Sequence, residues 1–144
     1  SCEWTRAMEL SSIEEKMGVF LDLHRKSRRD KSEFMSLKME GFFRDLGKKL
    51  LEEGWLDLSF LRFQEKEIAA FFSFDFGDTK YVYNSGYDPS FSWYSPGIVL
   101  AAYCIRAAIE KGLKGFNFLR GREEYKYHLG GIEEANYCLR AERV

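Results

Sequence analysis

The densest group of chemically useful side chains lies near the C-terminal end of the sequence. Three cations, two carboxylates and a phenol follow one another there, namely Arg120, Arg122, Glu123, Glu124, Tyr125 and Lys126. Guanidinium and ammonium groups can bind a phosphate or carboxylate of a substrate, and a phenol can act as a general acid. The competing interpretation is a solvated ion-pair surface, which contributes little to stability.

A second candidate site is Ser95-Pro96-Gly97, where we predict that a helix begins. Serine is a preferred N-cap residue, and proline is favoured at the first helical position. The free N–H groups and the dipole of a helix N-terminus can hold a phosphate or a carboxylate. An ordinary helix cap without a ligand is the alternative interpretation.

The most basic stretch runs from His24 to Lys31, and we interpret it as a solvated helix end and loop. If it is functional, its partner would be an anionic acceptor such as a nucleotide-sugar or a tRNA. His24 itself falls on the apolar face of a predicted helix, which is typical of a packed core histidine. Two His and three scattered Cys form no metal-binding pattern, and no G-x-S-x-G nucleophile motif occurs. We therefore predict neither a metal cofactor nor a serine hydrolase.

The overall composition is that of a globular domain. The 144 residues suit one domain, with 45% apolar and 31% charged residues. A net charge of −1 gives no global field for nucleic acid, and no apolar run reaches the length of a membrane span, so no membrane insertion is expected. An odd count of three cysteines favours free thiols in a reducing, cytoplasmic compartment. Because the chain starts at Ser1 rather than Met, we predict that residues 1–144 are one domain of a longer protein.

Two helices with apolar faces precede a run of alternating strands. The first helix carries Ile13, Met17 and His24 on one face, with Ser12 and Glu15 as a predicted capping box. The second runs from Ser36 to Gly54. The remaining predicted elements are three strands that alternate at 56–60, 70–76 and 81–84, a buried helix at 96–111, a strand at 115–119, a short helix at 122–127 and a final strand at 135–140.

The predicted strands differ in how they are connected. The three consecutive strands between residues 56 and 84 are separated by short polar turns, which predicts an antiparallel meander. The strand–helix–strand unit from Tyr81 to Leu119 predicts a parallel crossover. We expect its two strands to separate at the end nearer Ser95. Such an opening of a sheet is a place where ligands bind.

Several short motifs follow one another in a fixed order along these predicted elements. These are Tyr83-Asn84-Ser85-Gly86-Tyr87-Asp88, Ser95-Pro96-Gly97, Phe116-Asn117-Phe118-Leu119-Arg120-Gly121, Glu123 and Tyr125-Lys126. Over essentially the whole chain from about Ser12 onwards, this arrangement resembles the GNAT superfamily of N-acyltransferases. It looks most like the subfamily found in bacterial proteins linked to cellulose or exopolysaccharide synthesis, which is similar to the Fem-type transferases of peptidoglycan precursors.

The resemblance implies an α/β (α+β) fold with a mixed, mostly antiparallel sheet and one parallel crossover. It implies acetyl-CoA, or another acyl-CoA, as the donor, without a metal. In this fold the strand before the crossover diverges from its parallel neighbour, and an extended donor arm can pair with the backbone groups left open. We therefore predict five donor-binding residues, which are Asn84, Ser85, Gly86, Ser95 and Gly97.

The resemblance also suggests roles for residues on the acceptor side. Tyr125 corresponds to a tyrosine that protonates the leaving thiolate, for which a phenol with a pKa near 10 is suitable. Tyr127 is the near alternative. The predicted catalytic residues are Tyr125, Lys126 and Glu123, and the predicted substrate-binding residues are Arg120 and Asp88.

The acceptor implied by the resemblance is an amine-bearing small molecule or a cell-envelope precursor, and a second GNAT-like domain is expected in the parent chain. Two alternatives stay open. One is a Fem-like aminoacyl transferase with a tRNA-borne donor, and the other is a non-catalytic GNAT-like half that supports a partner domain. The stretch from Phe91 to Gly97 has one glycine where the superfamily's phosphate loop is glycine-rich, which favours these alternatives over a standard acetyltransferase.

Overall fold

The computed structural model describes residues 2–143 as a five-stranded sheet with helices on both faces. A 3₁₀ helix (Pro89–Tyr94) precedes the crossover helix. The other elements, in chain order, are β1 (Cys2–Ala7), α1 (Leu10–Ser27), α2 (Arg29–Phe34), α3 (Leu37–Glu52), β2 (Leu56–Phe63), β3 (Lys66–Phe76), β4 (Thr79–Tyr87), α4 (Pro96–Glu110), β5 (Gly115–Asn117) and α5 (Glu124–His128).

The strands lie side by side in chain order, from β1 to β5. Strands β1 to β4 pair antiparallel with their neighbours. Strands β4 and β5 pair parallel, and helix α4 connects them. The predicted meander, the parallel crossover and the mixed α/β fold class are therefore confirmed. Within residues 2–143, every helix is too short or too polar to span a bilayer.

One face of the sheet, which we call the aromatic face, packs against α1 and α3. Phe20 and Phe43 from these helices meet Phe60 and Phe72 from the strands, and all four are almost fully buried. Their rings lie within 6 Å of one another where they meet, at tilted or edge-on angles that suit aromatic pairs. This packing follows from the period-two pattern of the strands, which places alternate residues on one side of a sheet.

The opposite face, which we call the α4 face, combines an apolar cluster with buried charges. Lys80 lies between Asp57 and Asp75, with Nζ–O distances of 2.5 and 2.6 Å. Arg6 also bonds to Asp57, and Lys111 to Asp75. Burial alone would raise the pKa of Asp57, but the charge and hydrogen bond of Lys80 hold that pKa below its ordinary value.

Helix α1 approaches β4 more closely than a side chain would allow. A Cβ atom on Gly86 would overlap the backbone of Leu23 and His24 in α1. The residue therefore has to be a glycine for packing reasons. Strand β4 contains a bulge at Tyr83, where the register with β3 shifts by one residue.

The ends of several elements differ from the predictions. Helix α1 begins at Leu10, with Glu9 as its N-cap and no side-chain capping bond, so the predicted capping box of Ser12 does not form. The hydroxyl of Ser12 instead donates to the backbone carbonyl of Glu9. The basic stretch is mostly helical, because α1 continues to Ser27 and α2 follows at once.

The predicted final strand at residues 135–140 is wrong. These residues belong to no helix or strand, and residues 132–143 are all exposed. The alternation of Ala135, Tyr137 and Leu139 with polar residues is a strand pattern, but a strand also needs a partner for its backbone groups. Strand β5 is likewise shorter than predicted, since the Asn117 side chain accepts from the N–H of Leu119, which has a positive φ of 56°.

Candidate active site

The parallel pair β4–β5 is short. Its register covers only three positions, from Thr79 opposite Gly115 to Tyr81 opposite Asn117. Strand β4 continues to Tyr87, whereas β5 ends at Asn117. Among residues 2–143, no strand neighbours one edge of β4 over its second half, which confirms the predicted separation of the two strands.

A cleft of about 1150 Å³ begins beside the paired residues of β4 and β5 and reaches Tyr83, where the two strands have separated. Its β4 wall consists of Thr79, Tyr81 and Tyr83. These tyrosines continue the aromatic face, because Tyr81 stacks on Phe74 and Tyr83 contacts Phe72. The opposite wall is formed by residues 115–122, 126–127 and 130–136. The sheet thus presents an aromatic wall without charge, while the loop after β5 supplies the cations and carboxylates.

Backbone groups in the second half of β4 point alternately to β3 and to the open edge. The N–H of Asp88 donates to Ile68 in β3, which fixes the alternation. Asn84 and Gly86 consequently direct their backbone groups towards β3, and Ser85 and Tyr87 direct theirs to the open edge. Of the predicted donor-binding residues Asn84, Ser85 and Gly86, only Ser85 offers backbone groups to a ligand there.

Three side chains already occupy this open edge. Lys31 Nζ donates to the Ser85 carbonyl at 2.7 Å, and the Ser85 N–H donates to Asn84 Oδ1 at 2.9 Å. The N–H of Tyr87 donates to Ser27 Oγ at 2.7 Å. Sequence reasoning missed Ser27 and Lys31, because they are distant in sequence from β4 and lie in a stretch that we interpreted as solvated.

The predicted phosphate site at the start of α4 is small. Ser95 is the N-cap, but it has a positive φ of 49° and its side chain makes no capping bond. Pro96 has no N–H, and the N–H groups of Ile98 and Val99 both donate to the Ser95 carbonyl. Among the described residues, Gly97 alone of this turn keeps a backbone N–H without a backbone partner, so the helix start can give an anion little more than one hydrogen bond.

Lys126 is a buried side chain that organises the wall of the cleft. Its Nζ lies 2.7 Å from the Arg120 carbonyl and 3.4 Å from the carbonyls of Phe118 and Gly121. It also pairs with Glu123 at 2.7 Å. Because these bonds use the donors of the ammonium group, Lys126 positions the loop after β5, and its donors are not free for a substrate in this arrangement.

Glu123 is the N-cap residue of α5 and faces several cations. Burial alone would raise the pKa of Glu123, but the hydrogen bond from Lys126 and the backbone N–H of Glu123 hold it below its ordinary value. The carboxylate is therefore ionised at neutral pH. Its negative charge lies beside Lys126 and close enough to Lys31 to act on it.

Tyr125 is half-buried on α5, with its ring edge-on to Phe118 at a centroid distance of 6.0 Å. Burial, followed by the charge of Glu123, raises the pKa of Tyr125 to about 12. The phenol therefore stays protonated at neutral pH and can donate a proton. Tyr127, its near alternative, is more exposed and donates to Glu133 at 2.5 Å.

The two predicted substrate-binding residues, Arg120 and Asp88, lie in different places. Arg120 is exposed and lines the cleft. Asp88 is buried at the start of the 3₁₀ helix, where it accepts from the N–H of Ser90 and pairs with Lys66 at 2.7 Å. The hydrogen bond from Lys66 lowers the pKa of Asp88 to about 2 despite the opposing effect of burial. These contacts give Asp88 a structural role in joining β3 to the chain after β4.

The described residues contain no group of three or more His, Cys, Asp or Glu side chains that could hold a metal ion. The cleft itself is lined by phenols and cations, and Tyr125 packs against Phe118 in its wall. Such a set suits transfer of a group between two bound substrates, in which positioning supplies much of the rate.

The fold and the cleft define an α/β domain of the acyltransferase class, and comparison of sequences specifies the family. The profile described as "Acetyltransferase (GNAT) domain" matches residues 5–127. The chain therefore belongs to the GNAT acetyltransferase family, and the predicted enzyme class is confirmed. No curated protein sequence matches the chain significantly. The cellulose-linked or Fem-type subfamily stays a prediction.

Solved structures with the same fold span the whole chain. A GCN5-related N-acetyltransferase from Ralstonia eutropha is 17% identical, with a TM-score of 0.68 and 99% of both chains covered. AAC(6')-Iy in complex with the bisubstrate analog CoA-S-monomethyl-acetylneamine is 13% identical, with a TM-score of 0.66 over 100% of this chain and 99% of that one. A predicted acetyltransferase with acetyl-CoA from Clostridium acetobutylicum is 14% identical, with a TM-score of 0.67 over 99% and 96%. At these identities the likeness concerns the fold.

Proposed function

We propose that the chain is an N-acyltransferase domain that moves an acyl group from an acyl-CoA, with acetyl-CoA as the first candidate, to an amine. The observation that carries the proposal is the separation of β4 and β5 after Tyr81 and Asn117, beside a cleft of about 1150 Å³. An open strand edge can pair with an extended chain that carries amides, and the arm of CoA is such a chain. Membership of the GNAT family supports the same reaction.

In the proposed reaction the acceptor amine attacks the thioester carbonyl, the C–N bond forms, and the C–S bond breaks. Tyr125 gives its proton to the leaving thiolate and regains one from the new ammonium group. Its pKa of about 12 keeps the phenol protonated before the reaction but makes it a weaker acid than an ordinary tyrosine, so the proton transfer depends on close contact with the thiolate. The bonds of Lys126 to the Arg120 carbonyl and to Glu123 hold the wall of the cleft, and the catalytic roles of these two residues stay predictions.

Acetyl-CoA binding is the direct test. A ligand that binds only the folded state stabilises it, by about 2.7 kcal/mol at 100 times Kd. We therefore expect acetyl-CoA to raise the Tm in a concentration-dependent way, whereas ADP at the same concentration should shift it less. Release of free thiol in the presence of an amine then measures transfer. An unchanged Tm at millimolar acetyl-CoA would remove this donor from the proposal.

For the acceptor, we propose an amine on a cell-envelope or exopolysaccharide precursor, used in the cytoplasm by a longer protein with a second GNAT-like domain. The support is the resemblance of the motifs around Asn84, Ser95 and Arg120. A panel of amino sugars, peptidyl amines and aminoglycosides tests it. Aminoglycosides belong in the panel because a structure of an aminoglycoside acetyltransferase in complex with sisomicin has the same fold.

One observation favours a second candidate function. The start of α4 offers a single unpartnered backbone N–H at Gly97, which is little for the pyrophosphate of CoA. A Fem-like aminoacyl transferase with a tRNA-borne donor, or a domain that supports a catalytic partner, would not need that site. Binding of aminoacyl-tRNA with no response to acetyl-CoA would favour the first of these, and no response to either would favour the second.

A further inference from the structure

The open edge of β4 has few groups that a donor arm could use. Ser85 and Tyr87 are the residues after the bulge that direct N–H and carbonyl groups to that edge. The Ser85 N–H is held by the neighbouring Asn84 side chain. The groups that decide whether an extended ligand can pair there are therefore the Ser85 carbonyl and the backbone of Tyr87.

Ser27 is a fixed partner of this edge. It is buried on α1, and its hydroxyl lies 2.7 Å from the Leu23 carbonyl and 3.2 Å from the Tyr87 carbonyl. A hydroxyl has one proton, and the shorter contact takes it. Ser27 thus accepts from the Tyr87 N–H but leaves the Tyr87 carbonyl without a strong donor, so this carbonyl is available to a ligand.

Lys31 is a movable partner of the same edge. It lies on α2, a helix of six residues of which none is buried. The chain enters α2 through Arg28 in an extended conformation. The long, flexible side chain of Lys31 reaches β4, where its Nζ donates to the Ser85 carbonyl at 2.7 Å.

The surroundings of Lys31 provide another position for its charge. Burial, followed by the charge of Arg28, lowers the pKa of Lys31, while the carboxylates of Asp30 and Glu123 act in the opposite direction. Asp30 is paired with Arg28 and Glu123 with Lys126, so an ammonium group that leaves the Ser85 carbonyl stays near these two ion pairs. It gains solvent at the same time, so the open position carries little electrostatic cost.

We propose that Lys31 gates the donor site, a proposal that rests on the acyl-CoA function proposed above. In the free protein Lys31 donates to the Ser85 carbonyl. When the donor binds, Lys31 leaves and an amide N–H of the donor arm takes its place. Donor binding then includes a conformational step, in which the affinity is reduced by the fraction of molecules that are open. The carbonyl of Tyr87, two residues further along the same edge, receives the next part of the arm.

The test compares acetyl-CoA binding by calorimetry and stopped-flow for the wild type, Lys31→Met and Lys26→Met. Lys26 is an exposed lysine near the end of α1, so its replacement removes one positive charge without touching β4. If Lys31 is a gate, its replacement removes a competitor with a charge-assisted hydrogen bond, and Kd should fall on the order of tenfold relative to Lys26→Met. The association rate of the wild type should level off at high acetyl-CoA, and that of Lys31→Met should keep rising.

The other outcomes have separate meanings. Equal affinity of Lys31→Met and Lys26→Met would overturn the gate and leave the acyl-CoA function in place. Weaker binding by Lys31→Met would also overturn it, because Lys31 would then be a contact of the donor. If Lys31→Met were the one protein of the three to bind acetyl-CoA, the gate would be supported most strongly. Lys31 would then occupy the Ser85 carbonyl in most wild-type molecules. No binding by any of the three folded proteins, checked by circular dichroism, would overturn both proposals.

Discussion

The two faces of the sheet bury their polar groups in opposite ways. On the α4 face, Lys80 is 2% exposed and lies between two carboxylates, and Arg6 and Lys111 complete the network. On the aromatic face, His24 is 1% exposed among phenylalanines, and its Nδ1 has no hydrogen-bond partner among the described residues. Burial, followed by the charge of Lys31, lowers the pKa of His24 to about 4, so this side chain is neutral at pH 7.

This difference between the two faces explains where a substrate can bind. Buried charges are tolerated only with partners around them, which makes the α4 face rigid and closed. The aromatic face needs no such partners, and it can therefore open at its edge into the cleft beside Tyr81 and Tyr83. The charged residues that line the cleft follow β5 in the chain, and they are Arg120, Arg122, Lys126, Glu133 and Glu134.

The largest effect should come from the α4 face. Lys80→Met would leave Asp57 and Asp75 buried without their shared cation, and removing one partner of a buried ion pair costs about 3–5 kcal/mol. Urea unfolding at pH 7 should show this loss. The matched control is Lys114→Met, because Lys114 is exposed and its pair with Asp78 is a surface pair. If both variants lost a similar, small free energy of unfolding, Arg6 and Lys111 would be sufficient to stabilise Asp57 and Asp75 without Lys80.

The next effect concerns the cleft rather than stability. Tyr125→Phe removes a hydroxyl from a half-buried ring, so folding should change little. If the phenol protonates the thiolate, kcat should fall on the order of 10²-fold, about 2.7 kcal/mol in the barrier. Turnover is followed by thiol release from acetyl-CoA with an accepted amine. Tyr127→Phe is the control, and a larger loss there than at Tyr125 would move the acid to Tyr127.

The order of the elements was predictable because local patterns determine it. Alternation at Phe72, Phe74 and Phe76 predicts a strand, and Pro96 and Gly112 delimit α4. The strand at 135–140 was predicted wrongly for a physical reason. Alternation shows only that a segment could be half-buried, and it does not supply the neighbouring strand that its backbone requires.

The candidate site was predictable only in outline. The loop Arg120–Tyr127 does border the cleft, but the role of Lys126 depends on three carbonyls whose direction is set by the positive φ of Leu119 and Gly121. The part played by Lys31 depends on a contact with Ser85, 54 residues away. A contact at that separation leaves no periodic signal in one sequence, so the role of Lys31 could not be read from it. The role of Lys126 could not be read either, because no sequence pattern specifies the backbone angles that direct the three carbonyls.

The smallest of these effects tests the aromatic face through pH. His24 has a folded-state pKa of about 4, below the ordinary value of 6.5 that it regains on unfolding. The unfolded chain therefore binds the proton more tightly, and the stability that a neutral His24 contributes is complete above pH 6.5 and is lost as the pH falls towards 4. Between pH 7 and 4.5 the loss should be about 2 kcal/mol. Carboxylates also titrate in this range, so the measured quantity is the difference between wild type and His24→Phe, which keeps an aromatic ring beside Phe20. Unfolding free energies that fall in parallel for the two proteins would show that His24 is protonated in the folded state, and that the aromatic face holds a charge after all.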